Sequence, residues 1–280
     1  MALKQILVHV DDDAARSATR TAVAAQLART HDAELVGMYL VTGVAMTPSL
    51  AAVLPDDIVR ARLAQSGGAQ HRAERAFRDA AVKAGLPAID WRAPAGAPVQ
   101  AAIAHGRATD LIVVGQAEPG GADVVFATDI LDAAVLETAR PVLVVPYIGV
   151  PATAGEHVLV AWDGGREATR AIGDAMPLLE RARKVEVLAI DAGDATDATG
   201  APAATRLTAW LARHGVDVGI VHHDTTDVGV AAWLLSRVAD SGCDLVVMGG
   251  YEHARARERL MGGATREMLE AMTVPVLMSH

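Results

Sequence analysis

One motif is written twice in this chain at a fixed interval. Asp110-Leu-Ile-Val-Val-Gly115 is followed, twenty-six residues after its glycine, by Pro141-Val-Leu-Val-Val-Pro146. Asp244-Leu-Val-Val-Met-Gly249 is followed at the same interval by Pro275-Val-Leu-Met-Ser-His280. The opening runs repeat too, since Ile6-Leu-Val-His-Val-Asp11 matches Val158-Leu-Val-Ala-Trp-Asp163. Such self-similarity implies two copies of one structural unit, and halves of roughly 140 residues are each long enough to bury a core. We expect domains over 1–148 and 156–280, joined by the small-residue, proline-containing linker 149–155.

Within each half, short β-branched runs alternate with longer alanine-rich helical patterns. That alternation predicts βαβ units and a parallel sheet covered on both faces. The fold class expected is α/β, with two tandem, doubly wound, five-stranded domains. Strands are predicted over 4–10, 34–40, 88–92, 110–115 and 141–146, then over 157–162, 184–190, 216–222, 244–249 and 275–279. Helices in the second half are predicted over 166–181, 201–214, 227–241 and 264–272. Asp11 to Asp110 spans 99 positions and Asp163 to Asp244 only 81, so the first half carries an insertion, placed at 42–86 as a loop and a long charged helix ending before Gly85.

Composition narrows the partners. With 34 acidic against 25 basic side chains the net charge is -9, the wrong sign for a general nucleic-acid binder, and aromatic residues make up only 3% of the chain, too few for base-stacking platforms. No apolar run approaches the ~18 residues that span a bilayer, and the N-terminus shows no signal-peptide pattern, so a cytoplasmic location is expected. Cys243, the only cysteine, excludes an intrachain disulfide and reads as a small core residue. The pair His222-His223 with Asp224 is not expected to hold a metal, because adjacent strand residues face opposite ways. No Walker A, nucleophile-elbow or zinc-protease signature is present.

In open parallel sheets, ligands bind beyond the carboxyl ends of the strands where strand order reverses. Asp11 or Asp163 would close the first strand there, with Gly115 or Gly249 closing the fourth. Over its whole length the chain resembles the universal stress protein family, specifically its tandem-domain members. The resemblance is carried by Trp162-Asp163-Gly164-Gly165, by Val247-Met248-Gly249 through His253, by Gly262-Gly-Ala-Thr265, and by Val274-Pro-Val-Leu-Met278.

Family members that hold ATP carry G-x-x-G, nine residues, then G and Ser or Thr. Here those four positions are Gly249, Glu252, Gly262 and Gly263, so two depart from the pattern. Gly249, Gly262 and the amides of Gly263, Ala264 and Thr265 still offer phosphate a close backbone approach and the positive end of a helix. Glu252 opposes it by charge, and Arg255, Arg257 and Arg259 either compensate or form a solvated loop. The resemblance implies that Asp163 bonds adenine or ribose, with Ala161 and Ile190 lining the base pocket. Asp163 capping the following helix and Thr265 capping its own stay open as alternatives.

In the first half, Glu118 and Thr128 replace the second and third glycines, and Asp129 and Asp132 follow where a phosphate-binding turn would lie. Carboxylates at a helix start would occupy the environment a phosphate wants, and no triphosphate site is expected in 1–146. The leading expectation is a non-catalytic stress-response protein that binds ATP or another adenine nucleotide in its second domain only, with Mg²⁺ entering only alongside the nucleotide. Two alternatives stand beside it. One is a nucleotide-independent scaffold whose strands 141–146 and 275–279 pair the two domains, with a homodimer as a second layer. The other is slow ATP hydrolysis.

Overall fold

The computed structural model describes residues 2–40, 53–121, 123–151, 153–190, 203–223, 229–250 and 263–280. Ten strands lie among them, each within two residues of its predicted bounds. Two compact units divide between Arg140 and Pro141.

The first unit contains β1 (Gln5–Val10), β2 (Glu34–Tyr39), β3 (Ile89–Arg92) and β4 (Leu111–Gly115), ordered β3-β2-β1-β4 and all parallel. Its helices are α1 (Ala14–His31), α2 (Asp56–Lys83), α3 (Pro98–Gly106) and α4 (Val124–Glu137). Helix α1 packs on α2, and α3 on α4, as helices on two faces of a sheet do. Ile6, Leu7 and Val8 of β1 are fully buried together with Leu111 and Val113 of β4, which is why these strands read as continuous apolar runs rather than alternating ones. Gly37 has to be glycine for space, because a Cβ there would lie 2.7 Å from the Trp91 ring and 2.9 Å from Phe77. The insertion forms the predicted long helix, α2, and Phe77 on it packs against Trp91 with ring centroids 5.4 Å apart.

The second unit contains β5 (Val142–Val145), β6 (His157–Trp162), β7 (Lys184–Ile190), β8 (Val218–His223), β9 (Leu245–Gly249) and β10 (Val276–Ser279), ordered β5-β10-β9-β6-β7-β8. All neighbours from β10 to β8 run parallel, while β5 is antiparallel to β10, with Val144 opposite Val276 and Val142 opposite Met278. The closing strand of the first sequence repeat therefore pairs with the second repeat: one side of its backbone ladder is satisfied by β10, and its four residues are all buried. Helices α5 (Arg166–Leu179), α6 (Ala203–Arg213), α7 (Val230–Ser241) and α8 (Gly263–Ala271) complete the unit. Cys243 is buried, as expected, with its Sγ 2.9 Å from Ser241 Oγ.

The aspartate that opens each repeated motif is structural. The buried Asp244 carboxylate accepts from the backbone N–H groups of Gly155, Glu156 and His157 at 3.0–3.1 Å and from Thr153 Oγ1 at 2.6 Å. Asp110 does the same job with two donors, the N–H groups of Lys4 and Gln5 at 2.8 and 3.0 Å. Each satisfies amides that the first strand of its unit would otherwise leave unpaired.

Candidate functional site

Both units reverse strand order beside their first strand, at β1/β4 and at β6/β9. In the second unit β6 ends at Trp162, and Asp163 opens the turn into α5. Gly164 takes φ +81, which suits only a residue without Cβ. Asp163 Oδ1 accepts from Gly165 N at 2.7 Å, so this carboxylate oxygen closes its own turn. The N-cap of α5 is Gly165, with no side-chain cap, which corrects the helix-capping alternative for Asp163. Ala161 is buried at the end of β6. Ile190 ends β7 with its backbone in register with His223, and its side chain lies outside the described residues.

Gly249 ends β9 under the first turn of α5. A Cβ there would lie 2.6 Å from Ala168 N and 2.8 Å from the Glu167 carbonyl carbon, so the missing side chain makes room for the helix backbone. Across the strand ends, Ser279 stands in register with Gly249 on one side, and β6 with Trp162 lies on the other. Ser279 Oγ and Trp162 Nε1 are buried without a hydrogen-bond partner among the described residues, as are His9 Nε2, Trp91 Nε1 and His157 Nε2. Burial pushes the Glu167 carboxyl up, but its own N–H, the Arg166 guanidinium 2.9 Å away and the nearby His280 outweigh this and hold it below the usual carboxylate range.

Helix α8 begins with Gly263, which is exposed, then Ala264, half-buried, and Thr265, buried. Its first amides have no intrahelical acceptor and carry the positive end of the helix dipole, and its first turn contains no acidic residue. Gly262, Glu252, Arg255, Arg257 and Arg259 lie outside the described residues, as does Asp224; the same holds for the side chains of His222 and His223. Among the described residues no cluster of His, Cys, Asp and Glu could hold a metal ion.

The first unit's crevice is built differently. Arg20 reaches from α1 with its guanidinium fully enclosed: Nε donates to the His9 carbonyl at 3.0 Å, and Nη2 donates to Asp11 Oδ2 at 2.6 Å and Ser17 Oγ at 2.9 Å. Arg16 pairs with Asp13 at 2.6 Å and reaches Glu118, in the loop after β4, at 3.1 Å. The His9 ring is buried against Phe126, and a cavity of about 30 Å³ is what remains between them and Arg20. Burial, then the Arg20 charge, lower the His9 pKa to about 4.

The expected carboxylates Asp129 and Asp132 do not supply this closure, and the carboxylate at the start of α4 is that of the N-cap residue Asp123, which lines the crevice. The helix begins at Val124 with no acidic residue in its first turn, so Asp129 and Asp132 fall in its second and third turns, and Thr128 Oγ1 donates to the Val124 carbonyl within the helix. The crevice is filled instead by Arg20, His9 and Phe126, which the sequence reading did not single out. Aligning the repeats sets Arg20 against Ile172 and His9 against Ala161. A charged residue standing opposite an apolar core position was the available signal.

Residues 155–280 match the universal stress protein family model. This half of the chain belongs to that family. The α/β architecture extends through both halves: a universal stress protein from Archaeoglobus fulgidus superposes with a TM-score of 0.72 at 14% identity, covering 98% of this chain and 95% of its own. A putative universal stress protein from Pseudomonas aeruginosa gives 0.55 at 15% identity, covering 99% and 93%. A universal stress protein solved in complex with cAMP covers 52% of this chain and 98% of its own at 21% identity, with a TM-score of 0.37, a likeness too slight to bear on the site. No curated protein sequence matches the chain. No described helix is long and apolar enough to cross a membrane.

Proposed function

We propose that the second domain binds an adenine nucleotide without catalysis, in a cytoplasmic stress-response protein whose first domain binds none. The observation that carries this is the contrast at the switch points. Beyond β6 and β9, the start of α8 presents Gly263 to solvent, and Ala161 and Ile172 stand where the first unit has His9 and Arg20. At the same place in the first unit a guanidinium, an imidazole and a phenyl ring take the space. The ligand is ATP or another adenine nucleotide, held by the amides of Gly263, Ala264 and Thr265, with Mg²⁺ arriving only with a polyphosphate.

Calorimetry on the wild type and on Gly263→Asp, with ATP and AMP, with and without Mg²⁺, tests this. A carboxylate roughly 5 Å from a phosphate opposes binding by about 3 kcal/mol at an effective dielectric near 20, so at least a tenfold loss of affinity is expected. Gly263 is exposed and a Cβ there would lie 3.9 Å from Glu267 Oε1, so the variant's Tm is measured alongside its affinity. Absence of wild-type binding to every adenine nucleotide overturns the reading.

The β5–β10 ladder favours a second reading, an interaction scaffold. That ladder uses the edge of β10 within one chain, so a homodimer would form through another surface. Sedimentation showing association that is indifferent to nucleotide would support it.

A further inference from the structure

Arg20 is 4% exposed, and its guanidinium meets three acceptors of three kinds: a carbonyl at His9, a carboxylate at Asp11 and a hydroxyl at Ser17. Ser17 Oγ is itself fixed, donating to Asp11 Oδ1 at 2.9 Å and accepting from Asp11 N at 3.0 Å. The acceptors therefore belong to the β1 end and the first turn of α1 and form a rigid cup. The strand beside the cup is shaped to the same group. A Cβ on Gly115 would stand 2.5 Å from Arg20 Nη1 and 3.2 Å from its Cδ, so the glycine is what lets the arginine side chain lie against β4. In the second unit the matching glycine, Gly249, makes room for helix backbone instead, and the residue matching Arg20 is the apolar Ile172. Two sequence positions that look equivalent thus serve different occupants.

We propose that the first crevice is a guanidinium-recognition site whose occupant, Arg20, is supplied in cis and keeps diffusible ligands out. The cup is specific for a planar cation. Nη2 donates to both Asp11 and Ser17 while Nε donates to the His9 carbonyl, and a single ammonium nitrogen cannot supply donors from two positions of one plane. The remaining charges do not invite an anion, because Arg16 is already engaged by Asp13 and Glu118 and the lining adds a further carboxylate at Asp123. Emptying the cup leaves Asp11 without its counter-ion and creates a vacancy for a small cation, not for a phosphate.

Chemical rescue reads this directly. Arg20→Ala is expected to lower the Tm by about 5 °C or more, the usual effect of leaving a buried charge unpaired. Low-millimolar guanidinium or methylguanidinium should restore part of that loss in a saturable way, while sodium, urea and phosphate at the same concentration do not, and the wild type shows no response. A wild-type Tm for Arg20→Ala, or equal responses to guanidinium and sodium, overturns the proposal. Should Arg20→Ala fail to fold, Gly115→Ala is compared in the wild type and in Arg20→Lys, which keeps the charge. The added methyl should depress Tm far more beside arginine than beside lysine, and an equal loss in both backgrounds overturns the proposal just as firmly.

Discussion

Arg237 on α7 holds Glu186 on β7 with two donors, Nε at 3.0 Å and Nη2 at 2.5 Å, both on Oε2. Lys184 takes the other oxygen, and His157 Nε2 stands 3.4 Å from it. The Glu186 side chain is 4% exposed, so burial alone would raise its pKa, but the hydrogen bonds and charges of Lys184 and Arg237 win and pull it down to about 2. A carboxyl whose folded pKa lies below its unfolded value stabilises the fold above the unfolded pKa and loses that contribution as pH falls through the folded one. Glu186 should therefore contribute roughly 1–3 kcal/mol at neutral pH. That contribution fades between pH 4.5 and about 2. Urea titrations of wild type and Glu186→Gln across this range should converge at the acid end. Parallel curves would show that the pair is not the source.

His9 titrates in a higher window. Its folded pKa of about 4 sits below the ordinary 6.5, chiefly through burial and then the Arg20 charge. The unfolded chain takes up this proton first, so stability falls as pH drops from 6.5 towards 4. His9→Gln should remove that part of the slope, measured as the pH dependence of the urea midpoint between 7 and 4, while leaving the Glu186 window untouched.

The two clamp aspartates differ in number of donors, and their variants should differ in cost. Asp244→Asn weakens four hydrogen bonds at a buried carboxylate and is expected to destabilise by about 2–4 kcal/mol. Asp110→Asn affects two, at a less buried site, and should cost about half as much. Equilibrium unfolding of both variants checks the ratio.

Gly249→Ala and Gly263→Asp separate packing from binding. The methyl on Gly249 meets the Ala168 amide at 2.6 Å, and overpacking of this kind costs about 1–3 kcal/mol. Gly249→Ala should lower Tm whether or not ligand is present. Gly263→Asp places a carboxylate at a helix start, where the helix dipole favours it and the exposed neighbour Glu267, 3.9 Å from the added Cβ, opposes it, so its Tm should change little while nucleotide affinity falls. A stable Gly249→Ala protein would return that glycine to a purely ligand-facing role.

The repeat, the ten strands and the long inserted helix were legible because each is written in local periodicity: apolar runs for strands buried on both faces, and turn residues between them. That Asp163 and Gly249 end neighbouring strands where strand order reverses was legible because both follow apolar runs at matched positions of the repeat. What each residue does there was less legible. Gly249 reads from sequence as a place for phosphate, yet its missing Cβ accommodates α5. Asp129 and Asp132 read as residues at a helix start, yet α4 begins at Val124, because Thr128 and Asp129 continue a helix that the loop after Gly115 has already entered.

By itself the sequence determined how many units the chain builds, the class of each, and where the strands lie, since those follow from pattern and spacing along the chain. Only the tertiary structure decided that Arg20 lies in the first crevice rather than on a solvated helix face, that Asp110 and Asp244 are clamps, and that β5 pairs with β10. The physical reason is common to all three. A buried charge, a cluster of unpaired amides or a strand edge becomes stable only when its partner arrives from a distant part of the chain, and that meeting leaves no mark on local periodicity.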